Sequence, residues 1–242
     1  SITFLRGRPT LCIGVTRKRP LGDRWAVPAP VTADCAQEAM EFHYFDFEGG
    51  RGPVCRIPLY HSGLDWKDVR VKGADFGAAK ARGEYPTGLP ILKLASGRVI
   101  TQSAAIARFA AKHGDTGLYP TDPEAALIVD ELMDVAADAL TKTPTDKDEE
   151  KKKVAREEYA AGRLKAYMNI FNDSIAANGG PYVSGKTLTI ADLAVDGVVS
   201  MITSGNFDYV DKSYADEWPA LVAACALIKD SELFKSYAAS RV

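Results

Sequence analysis

EFHYFDFEGGRGPVCRIPLYHSG, residues 41–63, joins a strand pattern to a helix pattern through a glycine-rich turn. Phe42, Tyr44 and Asp46 alternate with His43, Phe45 and Phe47, the two-residue period of a strand whose faces differ. GGRGP breaks the alternation, Pro53 suits a first helical turn, and Val54, Ile57 and Leu59 follow at roughly helical spacing until Gly63. Pro58 inside that stretch predicts a kink. The same alternation of signals continues outward. WKDVRV reads as a strand, ADFGAAKAR as a short helix, PILKLASGRVI as strand, turn and strand, and QSAAIARFAAKHG as a helix stopped at Gly114. The order is βαβαββα, a mixed sheet whose first two strands are joined by a right-handed crossover. Two readings of Tyr44 stand at this point: a packed aromatic, or a hydroxyl placed for chemistry at the tip of a strand.

Beyond the linker the pattern is helical only. PEAALIVDELMDVAADAL repeats apolar residues at three and four spacing, and the charged run TDKDEEKKKVAREEY opens a second long helix with a solvated start. In TIADLAVDGVVSMI, Thr189 and Asp192 form a reciprocal capping pattern, a folding signal and not a site. Glu-Trp-Pro opens a last helical stretch running to Ser240. The boundaries are therefore a basic extension over 1–40, an α/β domain over 41–114, a linker over 115–121 and an all-helical domain over 122–242. No internal repeat interrupts this division.

Length and composition set limits on function. The 242 residues suffice for a sizeable core, apolar residues make up 46%, and the net charge of -2 offers no overall attraction to nucleic acid. No apolar run approaches the roughly 20 residues of a membrane-spanning helix. Cys12, Cys35, Cys55 and Cys225 are scattered, without a C-x-x-C pair or a histidine cluster, so they read as reduced thiols and no metal site is expected. The cytoplasm is the expected compartment, with a plastid or mitochondrion as the alternative. The first 24 residues hold Arg6, Arg8, Arg17, Lys18, Arg19 and Arg24 against Asp23 alone. This basic arm reads either as a tail or as a segment laid on its own domain or on a neighbour, through which the chain would join a larger complex.

Five motifs in order carry a resemblance: YFDFEGGRGPVCR, GLPIL, TQSAAIARFAA, GLYPTDPEAALIVDELMD and PYVSGKTLTIADL. Together they resemble cytosolic glutathione transferases, in particular the sigma-like, tyrosine-using branch that includes the haematopoietic prostaglandin D synthases. The resemblance covers about residues 41–240 and leaves the arm aside. It implies a thioredoxin-like N-terminal domain followed by an all-α domain, glutathione as co-substrate, and conjugation to a small electrophile, isomerisation or peroxide reduction.

Site residues follow from the same resemblance. Tyr44 falls at the catalytic tyrosine, whose hydroxyl hydrogen bond favours the glutathione thiolate. Lowering a thiol from about 8.5 by two units takes roughly 2.7 kcal/mol. A hydrogen bond to a charged group contributes about 1.5–3, and a helix N-terminus about 0.3–1 more. The sum is met without a metal or a general base. Arg51 stands at an arginine that supports the tyrosine, counted back from Arg56; counted forward from Tyr44 it arrives one residue late, so the loop at 47–50 carries an insertion. Pro90 corresponds to a cis-proline that turns the Leu89 backbone toward the cysteinyl part of glutathione, and Gln102 and Ser103 suit the γ-glutamyl carboxylate. Phe76 and Lys80 match residues that meet the glycyl end. Phenylalanine stands there in place of tryptophan, and Gly88 in place of a frequent lysine, so two donors are missing.

The resemblance also implies a homodimer, in which Asp138 would reach the γ-glutamyl amino group bound by the partner. Cys55 reads as a core thiol. The runner-up is a fold of this kind kept as a non-catalytic subunit of a larger assembly, anchored by its arm.

Overall fold

The computed structural model describes residues 39–240. All of the basic arm except Ala39 and Met40, with Cys12 and Cys35, lies outside the described residues, as does the interaction expected of it.

The first domain runs β1 (Met40–Phe45), α1 (Pro53–His61), β2 (Trp66–Val71), α2 (Gly73–Ala81), β3 (Ile91–Lys93), β4 (Val99–Ile100) and α3 (Ser103–Lys112). This is the order read from the sequence. The sheet order is β2-β1-β3-β4, with β1 parallel to β2 and antiparallel to β3, and β4 antiparallel to β3. In register, Phe42 faces Asp68 on β2 and Leu92 on β3. Alternation along β1 sends Phe42 and Tyr44 into the core beside Val54, Ile57 and Ile106. Ala107 and Ala110 are buried on α3, which packs on α1. Pro58 lies inside α1, and the helix runs through it to His61.

The second domain contains α4 (Pro123–Thr141), α5 (Glu149–Tyr159), α6 (Lys165–Ala177), α7 (Ile190–Thr203), α8 (Pro219–Asp230) and α9 (Glu232–Ala239). α4 starts with Pro123 in its first turn and Asp122 accepting from Ala125 N at 2.9 Å. The long helix expected from residue 145 onward is α5 and α6 joined by a π turn over Ala160–Leu164. The last stretch differs from its reading as one element. At Ser231 the backbone turns extended, and the Ser231 side chain caps α9 by accepting from Phe234 N at 3.2 Å. α7 is apolar nearly all round because it is central, with every residue from Ile190 to Val199 buried. Ile190 N donates to Leu118 O at 3.0 Å, which ties the linker to its first turn.

Candidate active site

Near the end of β1 Tyr44 faces inward, and the turn after the strand closes over its ring. Tyr44 is only 6% exposed. Its ring stands 5.7 Å from that of Phe47, and the Arg56 guanidinium lies 5.6 Å from its centroid. Arg51 N donates to the Tyr44 hydroxyl at 3.0 Å. That bond fills an acceptor position of the phenol and leaves its own hydrogen to be given elsewhere. Burial pushes the Tyr44 hydroxyl above its ordinary value of 10.0, against the pull of the Arg51 N–H, so the proton stays on at neutral pH.

The turn depends on its glycines. Gly50 has φ 57°, and a Cβ there would lie 2.9 Å from the Tyr44 hydroxyl. A Cβ on Gly52 would fall 2.9 Å from Tyr44 Cδ1 and 2.8 Å from Arg56 Nη1. Any larger residue would push the turn off the phenol. The 47–50 loop is also moored to the helical domain, where Gly50 N donates to Gly197 O of α7 at 3.1 Å.

Arg51 reaches Tyr44 with its backbone. Its guanidinium turns to the C-terminal end of α4, donating to Ala137 O at 3.2 Å and to Thr141 Oγ1 at 2.6 Å. Between this loop, α3 and α4 lies a recess of about 20 Å³, bordered by Gly50, Arg51, Ser103, Ala104 and Met133. It has room for about one water-sized group. Ser103 is the buried first residue of α3, and its carbonyl lies 3.5 Å from the Cys55 thiol that donates to it. Gln102, the cap residue, is exposed and makes no side-chain bond to the first turn; the first backbone bond of the helix runs from Ile106 N to Gln102 O at 3.0 Å. The first-turn N–H groups are left without a side-chain cap, and a helix start of this kind favours an anion.

The Leu89–Pro90 peptide is cis and leads into β3, with Leu89 half-buried. Phe76 and Lys80 are not at the Tyr44 hydroxyl. Phe76 packs on the other face of β1, its ring 5.0 Å from Phe45 and 5.9 Å from Tyr85, and Lys80 lies over it at 5.7 Å. Asp138 is half-exposed on α4 and ion-paired with Lys142 one turn on. Cys55 is fully buried, and burial raises its thiol well above the ordinary range, so it is a protonated core group and no nucleophile. No group of three potential ligand residues that would hold a metal occurs among the described residues.

Arg56 was missed as a site residue in the sequence reading, where it served only to count back to Arg51. It is fully buried, with Nε 3.0 Å from both oxygens of Asp68, Nη2 3.1 Å from Phe45 O and Nη1 3.3 Å from Phe47 O. It therefore holds the carbonyls on either side of the chain leaving β1, directly under Tyr44. An arginine on an apolar helix face with an aspartate in the next strand is the only local sign of such a pair.

The family described as "Glutathione S-transferase, C-terminal domain" matches residues 134–241. A glutathione S-transferase class-mu 28 kDa isozyme from Schistosoma mansoni is 30% identical over 190 residues, 75% of this chain and 87% of that one. Haematopoietic prostaglandin D synthase from Gallus gallus is 28% identical over 182 residues, covering 74% and 85%. The solved structure of prostaglandin synthase D of Nilaparvata lugens superposes with a TM-score of 0.69 at 23% identity, over 85% of this chain and 99% of that one, a likeness of fold. Extent and identity together mean that this chain belongs to the glutathione S-transferase family.

Proposed function

We propose that the protein is a glutathione transferase of the sigma-like, tyrosine-using kind, in which Tyr44 donates its hydroxyl hydrogen to the glutathione sulfur and so favours the thiolate. The observation that carries this is the Arg51 N–H bond to the phenol oxygen, which leaves the hydrogen of a protonated hydroxyl as the free half. The first turn of α3 at Gln102 and Ser103, left without a side-chain cap, supports a place for the γ-glutamyl carboxylate. Leu89 and Pro90, just before β3, are where the resemblance puts backbone pairing with the cysteinyl part. Lys80 is exposed and free to meet the glycyl carboxylate, whereas Phe76 serves that end through packing. The thiolate then attacks an electrophile, or assists isomerisation or peroxide reduction. A relative named as a prostaglandin D synthase supports the sigma-like assignment.

Tyr44→Phe tests this directly. The fold is expected to survive, because only one hydroxyl is lost. The apparent pKa of bound glutathione should rise by about two units and conjugation of a chlorinated nitrobenzene at pH 6.5 should fall about 100-fold. Read by the pH dependence of kcat/KM, an unchanged profile removes Tyr44 from the mechanism. The second reading, a non-catalytic subunit, is favoured by the loop closed over Tyr44 and by Phe76 and Gly88; it predicts no retention on immobilised glutathione and no turnover.

A homodimer is part of the same proposal, with Asp138 of one protomer meeting the ligand of its partner. Its pairing with Lys142 must then open or be shared. Asp138→Ala is expected to weaken glutathione binding about 5–10-fold in concentrated, dimeric protein, the worth of a charged hydrogen bond near the surface. Equal affinity for parent and variant in a confirmed dimer rules that role out.

A further inference from the structure

We propose that Gly197, in the middle of α7, is a positioning residue for the Tyr44 hydroxyl, because it leaves the space into which the 47–50 loop docks. The inference rests on the reading of Tyr44 as the thiolate donor. A Cβ on Gly197 would lie 2.2 Å from Gly50 O, closer than any real contact, and both atoms belong to or adjoin backbone. Gly50 N is meanwhile held by Gly197 O at 3.1 Å, so Gly50 is bonded to α7 through its N–H while its carbonyl lies in the space a Gly197 side chain would take. The next residue, Arg51, carries the N–H that fixes the phenol oxygen. Gly50 also lies so close to that oxygen that a Cβ of its own would stand 2.9 Å from it. Met201, one turn along α7, forms the rest of the seat, its sulfur 3.5 Å and 3.6 Å from the Cβ positions of Gly49 and Gly50. Helix α7 of the second domain thus sets where the hydroxyl of the first domain points. A glycine in a buried helix interior is unfavourable by about 1 kcal/mol relative to alanine, so its presence is explained by what it lets approach.

The consequence is a geometric one. Gly197→Ala must push Gly50 O away by about 1 Å, and a shift of that size at a reacting group is enough for losses on the order of 10–100-fold. Gly197→Ala is compared with Gly162→Ala, where an added Cβ meets nothing within 4 Å, and with Tyr44→Phe. Expected for Gly197→Ala are a glutathione Kd within about twofold of wild type, a bound-thiol pKa raised by about one unit or more, and a matching drop in kcat at pH 6.5. Combined with Tyr44→Phe it should add no further loss, since both act through one hydroxyl. A folded Gly197→Ala protein with the wild-type thiol pKa overturns the inference. If Gly197→Ala does not fold, Met201→Ala decides: it empties the seat without adding bulk, and a wild-type thiol pKa there overturns the inference equally. Failure of the underlying reading is told apart by Tyr44→Phe, whose own profile would then stay unchanged.

Discussion

Arg56→Met lowers the free energy of unfolding by about 3–5 kcal/mol, the loss expected when a fully buried guanidinium bonded to a carboxylate and to two main-chain carbonyls is removed. Methionine fills much the same volume, so packing contributes little and the polar groups decide. Asp68 keeps Arg70 at 2.8 Å, which softens its loss, but Phe45 O and Phe47 O lose the guanidinium that now satisfies them. A melting temperature lower by roughly 6–20 °C is the corresponding shift for a domain pair of this size. Arg56→Lys keeps the charge but cannot reproduce the fork, and should recover no more than half of the loss. The double variant with Asp68→Leu should be more stable than the sum of the single effects implies, which the double-mutant cycle reads as coupling. A loss under about 1 kcal/mol for Arg56→Met would mean that Arg70 takes over the site.

Asp192→Ala is expected to cost as much, about 3–5 kcal/mol, by a different route. The carboxylate is 1% exposed and accepts from Val183 N at 2.8 Å, Thr189 N at 2.8 Å, Ser184 Oγ at 2.6 Å and Thr189 Oγ1 at 3.0 Å. Burial pushes this carboxyl above its ordinary range while the bonds from Ser184 and Thr189 hold it down. Truncation leaves two buried N–H groups unsatisfied at the start of the helix on which the second domain is packed. Thr189→Ala removes the oxygen that accepts from Ala191 N and one of the donors to Asp192, but leaves the carboxylate with its other partners, and should cost about 1 kcal/mol. Chemical unfolding ranks the two, and faster proteolysis between Pro181 and Thr189 locates the weak point. Equal costs would mean that the hydroxyl, not the carboxylate, anchors the loop.

Those two residues were legible to different degrees. The Thr189–Asp192 pattern is visible in four residues because capping is local, yet the reach of Asp192 back to Val183 is not. Arg56 shows almost nothing, since a charged side chain on a short helix reads as solvent-facing until its partner strand is in place. The break at Ser231 was also hidden: a serine suits a helix surface and a cap alike, and the extended backbone that makes it a cap follows from how α8 and α9 pack. The Leu89–Pro90 peptide is cis and α3 starts at Ser103, both local features that the motifs carried in a few residues. Phe76 does not meet the Tyr44 hydroxyl, because alternation along β1 puts Phe45 and its neighbours on the opposite face.

The sequence by itself determined the order of elements, the change from a mixed sheet to helices, the cap of α7 and the place of Tyr44 near the end of β1. Each of these is written within one turn of helix or a few strand residues, where period, glycine, proline and short polar side chains act on their own backbone. Only the tertiary structure decided that Arg51 serves Tyr44 with its amide and α4 with its guanidinium, that Arg56 carries a buried charge under the site, and that Gly50 rests on Gly197. The contacts of Arg51 with α4 and of Gly50 with Gly197 join residues far apart in the chain, and Arg56 bonds across elements that no single local pattern links. Their energy depends on ångström-scale fit and on exclusion of water, and neither exists until the elements have packed on one another.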